Sequence, residues 1–110
     1  MRHPLQLYNE WRVFHEQNPH IYKLICRFTN DLIRAGHDRY GMGAVCERVR
    51  WEITVTTTTN LNKHFKIPNN HRAYYSRHWL KNHPERPKFF RIAHLRSMGA
   101  IPVDRWGLPL

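Results

Sequence analysis

Apolar residues recur at helical spacing through the first half of the chain. Within residues 5–16, Leu7, Trp11 and Phe14 fall at i, i+4 and i+7 with Tyr8 beside them, which predicts a first helix. Asn18-Pro19 reads as an N-cap followed by proline at the first helical position. From there Ile21, Leu24, Ile25, Phe28 and Leu32 keep one face apolar until Gly36 supplies a stop, predicting a second helix over 19–35. A turn-rich run, Gly36 to Gly41, follows. Val45, Val49 and Ile53 then repeat at i, i+4 and i+8 and predict a third helix over about 42–52.

Beyond it the pattern changes. Ile53 to Thr59 is β-branched throughout, which stiffens χ1 and favours a strand. Asn60-Leu61-Asn62 supplies a turn, and Lys63 to Ile67 alternates like a returning strand that Pro68 ends. Asn69 or Asn70 can cap a fourth helix over about 70–82, terminated by His83-Pro84. Pro87 opens a fifth helix over about 88–97, with Phe89, Phe90, Ile92 and Ala93 inward and Ser97-Met98-Gly99 closing it. The last residues are apolar but too rich in proline and glycine for a helix.

These elements predict one α+β domain over residues 1–110, mainly helical with one β-hairpin: a core over 5–97 and an apolar tail over 98–110. Helix, turn, helix and hairpin in that order is a winged-helix-turn-helix arrangement, in which the last helix before the hairpin enters the major groove and the hairpin tip touches phosphate. Arg48 and Arg50 then belong to the recognition helix, and Lys63 and His64 to the wing, with Lys66 a further phosphate contact. Guanidinium groups suit guanine edges bidentately, and lysine suits phosphate as a point charge. Glu47 and Glu52 repel phosphate unless they pair with neighbouring arginines, and the 36–41 loop is long for such a turn. The alternative is a small α+β domain with no groove-reading helix.

Charge sharpens this picture. Of 110 residues, 18 are Lys or Arg against 8 Asp or Glu, a formal net charge of +10, with 9 histidines besides. The surplus is concentrated late: residues 69–110 hold eight basic side chains against only Glu85 and Asp104. Such a balance biases a small protein toward anionic partners, nucleic acid first. The 13% aromatic content argues against disorder. No apolar run approaches the roughly 18 residues of a membrane helix, and Met1-Arg2-His3-Pro4 lacks the apolar core of a secretory signal, so a cytoplasmic protein with no membrane partner is expected.

On the fourth helix, His71, Tyr74, Arg77, His78 and Lys81 share one face and Tyr75, Ser76, Trp79 and Leu80 the other, with Arg72 near the centre of the apolar side. The first set can track a phosphate backbone and stack a base, or simply be the wet side of an amphipathic helix. No metal site is expected from the histidines, because His71 and His78 are two turns apart and no ExxH pair occurs. Residues 60–83 faintly suggest a His-Asn-His nuclease hairpin and helix, without that motif's paired entry on the first strand. No catalytic residue and no cofactor is nominated. Cys26 and Cys46 are expected to be buried, inert thiols. Trp106, Leu108 and Leu110 either dock on the domain or reach a partner: a second copy or an acidic host protein.

The run from Trp11 to Tyr22, together with Tyr40-Gly41, Glu47 to Glu52, Phe65 to Asn70, Tyr75-Ser76-Arg77 and Phe89-Phe90, resembles small proteins encoded in bacteriophages and prophages. The resemblance implies a viral or prophage origin, hence a bacterial host cell, and carries no binding residue across. Proteins of that class, size and charge are often DNA-binding regulators or inhibitors of host defence and transcription. The expected function is therefore nucleic-acid binding, duplex DNA before RNA, through Arg48, Arg50, Lys63, His64, Lys66, His71, Tyr74, Arg77, His78 and Lys81. Its rivals are a protein-binding inhibitor and a small metal-dependent nuclease.

Overall fold

The computed structural model describes residues 3–56, 66–92 and 102–110. They form four helices: α1 (Pro4–Gln17), α2 (Pro19–Arg34), α3 (Met42–Thr56) and α4 (Asn69–Asn82). Proline stands at the start of both α1 and α2, where its missing N–H is no loss. One residue, Asn18, separates them. Its side chain does not cap α2; instead its backbone N–H and Nδ2 both donate to Phe14 O, closing α1. At the other end of α2, Gly36 takes φ +97. Its N–H donates to Ile33 O and the His37 N–H to Leu32 O, so two terminal carbonyls are satisfied by a turn that only a left-handed residue completes.

The hairpin is where the sequence reading fails. Among the described residues there is no strand, only a single bridge between Val103 and Pro109, so the domain is all-helical rather than α+β and the winged-helix assignment falls. Ile53 to Thr56, read as the start of a strand, is the last turn of α3. Ile53 continues the buried stripe of Met42, Val45, Cys46 and Val49. The Thr54 and Thr56 hydroxyls donate back to the carbonyls of Arg50 (2.8 Å) and Glu52 (2.6 Å), an outlet the helix itself provides. Burial of one face thus outweighs the strand preference of β-branched residues. The remainder of the expected hairpin, 57–65, lies outside the described residues. The expected fifth helix is also absent where it can be checked: residues 88–92 form turns and irregular chain, and 93–97 lie outside the described residues.

The helix α4 is the centre of the molecule. It packs against α1 and α3, while α2 packs against α3 and α1. Tyr74, Tyr75, Trp79 and Leu80 are at most 1% exposed. Trp11 lies 5.8 Å from Tyr74, nearly parallel, and 5.6 Å edge-on from Tyr75. Phe89 and Phe90 cover Trp79 from the chain that follows, with centroids at 5.5 and 5.2 Å. The C-terminal segment closes the remaining side: Leu108 is buried and Gly107 lies against Arg77. No helix among the described residues is long and apolar enough to cross a membrane.

Candidate nucleic-acid interface

The residues nominated from sequence fall into three places. Arg48 and Arg50 are exposed on α3 but already neutralised. Arg48 Nη1 donates to Glu52 Oε2 at 2.9 Å, and its guanidinium lies over the rings of Phe28 (4.4 Å) and Trp51 (4.5 Å). Arg50 pairs with Glu47 at 3.5 Å, and Glu47 reaches Arg72 on α4 at 3.0 Å. Lys66 is exposed just before α4, whereas Lys63 and His64 lie outside the described residues.

The stripe expected on α4 is not a surface. His71, Tyr74 and Arg77 are buried, His71 edge-on to Phe14 at 4.9 Å and Arg77 bonded to Ala73 O at 3.2 Å. His78 is half-buried between His15 (5.1 Å) and Tyr22 (4.7 Å), where burial, then His15 and Lys81, hold its pKa down at about 4. Only Lys81 remains exposed, and it pairs with Asp104 at 3.6 Å. On a helix this largely enclosed, histidine and tyrosine rings serve as packing surfaces, and these stack on or meet edge-on the rings of α1 and α2.

A different set of cations converges outside the helices. Arg39, Tyr40 and Gly41, before α3, and residues 87–92, after α4, line an open groove of about 620 Å³. The Tyr40 N–H donates to Phe89 O at 3.1 Å and ties the two segments together. Phe89 and Phe90 are pinned on Trp79, which leaves Lys88 and Arg91 facing solvent on either side of them. Arg39, Lys88 and Arg91 are all exposed, and among the described residues none of them makes an ion pair, unlike Arg12, Arg48, Arg50, Arg72 and Lys81. Lys23 and Arg34 on α2 also lack an acidic partner among the described residues, but only the groove adds an exposed ring, Tyr40 at 40%, and an exposed aliphatic, Ile92 at 39%. Asp38 and Glu85, the acidic groups nearest in sequence, do not line it. The sequence signal for this site was the late charge surplus together with the turn-rich run at 36–41. Both are legible in the sequence, but helical periodicity carries no information about loop residues.

Among the described residues no group of three or more His, Cys, Asp or Glu is placed to hold a metal ion. Cys26 and Cys46 are free, and burial pushes both thiols up, Cys46 to about 12, so neither is an active nucleophile at neutral pH. The described residues thus form a small helical domain with a basic, aromatic-bordered groove. Comparison with protein-family models, with curated proteins and with solved structures gives no match.

Proposed function

We propose that this protein binds nucleic acid, mainly through the phosphate backbone, as a regulatory or accessory protein of the phage type in a bacterial cytoplasm. One observation carries the reading: Arg39, Lys88 and Arg91 stand around one open groove with no carboxylate on any of them among the described residues, in a chain of net charge +10. Cations held apart from acidic partners keep their full attraction for phosphate, and contact releases condensed counterions. The rival, an inhibitor anchored on an acidic protein through Trp106, Leu108 and Leu110, has less support. Leu108 is buried and Trp106 half-buried within the domain, which leaves Leu110 alone exposed, at 87%.

The test is fluorescence anisotropy with a labelled oligonucleotide across a salt series. Arg39→Ala/Lys88→Ala/Arg91→Ala should weaken binding by about tenfold or more and reduce the slope of log affinity against log salt by about 2 to 3, the share of three phosphate contacts. Arg50→Ala should do much less, because that charge is spent on Glu47. Absence of micromolar binding even at low salt, or equal losses in the two variants, rejects the proposal.

A further inference from the structure

The groove does not end at Tyr40. The same ring borders a second hollow of about 310 Å³ between α2 and α3, at the lower end of the size range of small-molecule sites. Its wall is apolar, from Phe28, Leu32 and Val45. Two charged residues also line it, Asp31 on α2 and Arg48 on α3. Resting on the nucleic-acid reading above, we infer that this hollow receives one unstacked base of a single strand whose phosphates follow Arg39, Lys88 and Arg91, and that the base it fits is guanine.

The argument is one of chemical matching. A carboxylate only accepts, and two adjacent donors can meet its two oxygens. Guanine presents such a pair, N1–H and N2–H, on its Watson–Crick edge, and offers O6 and N7 as acceptors to an arginine. Cytosine and adenine offer a single exocyclic amino group, and thymine or uracil sets one N–H between two carbonyls that the carboxylate repels. The Arg48 guanidinium lies over the Phe28 and Trp51 rings and only its Nη1 is engaged by Glu52, so this lining residue keeps further N–H donors for a ligand. Tyr40 joins the two parts of the site: 40% exposed, it can stack on the base that enters or on the next one. Duplex DNA cannot use this hollow, since its Watson–Crick edges are occupied by pairing. The expected duplex preference gives way to a single strand in this inference.

The experiment compares a labelled oligothymidylate with the same strand carrying one central guanine, and with its duplex. For the unaltered protein the single guanine should raise affinity about tenfold, and the single strand should bind more tightly than the duplex. Asp31→Asn, at an exposed position, should reduce the guanine preference to under about twofold while leaving oligothymidylate binding within about twofold. Tyr40→Ala should weaken both strands together. Equal affinity for both strands, tighter duplex binding, or an Asp31→Asn variant that keeps the preference overturns the base pocket and leaves the backbone reading standing. Failure of every oligonucleotide to bind rejects the backbone reading itself, and the pocket with it. An acidic peptide that displaces the guanine strand at lower concentration than free guanosine monophosphate would identify a protein ligand and overturn the inference.

Discussion

His78 shows what the histidine count of this chain stands for. Asn82 Nδ2 lies 3.2 Å from its Nε2 and also donates to the Tyr22 hydroxyl, so Nε2 is an acceptor and the ring is neutral. Protonating that nitrogen would set donor against donor, beside His15 and Lys81, in a half-buried site. With a folded pKa near 4 against 6.5 for the free side chain, the unfolded chain takes up the proton first. Stability is therefore complete above about pH 6.5 and is lost as pH falls toward 4. Acidification from pH 7 to 4.5 should cost roughly 1–2 kcal/mol through this group, after discounting for its partial exposure, and urea titrations should show a clearly smaller loss in His78→Gln. An unchanged loss would place the acid sensitivity elsewhere. His15 stacks on Trp11 within 2° of parallel and His83 on Trp79 at 3.9 Å, so these too are aromatic packing partners. A helical wheel that counts histidine and arginine as wet cannot show this, and the face of α4 it marks as wet is a packed one.

At the level of elements, legibility followed the regularity of the buried stripe. The bounds of α2 could be read within a residue, because stripe, proline and glycine agree. The end of α3 could not, because two signals conflicted there: an apolar stripe of helical period, and a run of threonines. The winning signal has a measurable consequence. Thr54 is exposed on a helix, where alanine has the higher propensity by about 0.5 kcal/mol; on a strand the preference would be reversed. Thr54→Ala should therefore raise the urea midpoint by the equivalent of a few tenths of a kcal/mol, since the hydroxyl's bond to the Arg50 carbonyl is solvent-exposed and contributes little. A clear destabilisation would argue against the helix at this position.

Across the whole molecule, the C-terminal segment and the proposed binding groove occupy separate surfaces. The apolar C-terminal segment was expected either to dock on the domain or to reach a partner, and Leu108 docks while Leu110 stays exposed: Asp104 accepts from the backbone N–H groups of Trp106 and Leu108, forming a tight turn that holds Leu108 on the domain beside Trp11 and His78. Sequence could not say which surface would receive it, because the receiving surface is built from polar-looking residues of α1 and α4. Gly107 makes the approach feasible, with φ +82 and a position where a Cβ would sit 2.6 Å from Nε of the buried Arg77. Leu108→Ala should cost about 2–3 kcal/mol by removing buried methyl groups. Gly107→Ala should cost at least about 1 kcal/mol, from backbone strain plus displacement of Arg77. Neither residue lines the groove of Arg39, Lys88 and Arg91, so at a temperature where both variants remain folded their oligonucleotide affinity should stay within about twofold of the unaltered protein. Thermal melts and anisotropy on the same samples decide the matter. A tenfold loss of affinity with the fold intact would mean that the C-terminal segment belongs to the binding surface, and that the basic groove is not the whole of it.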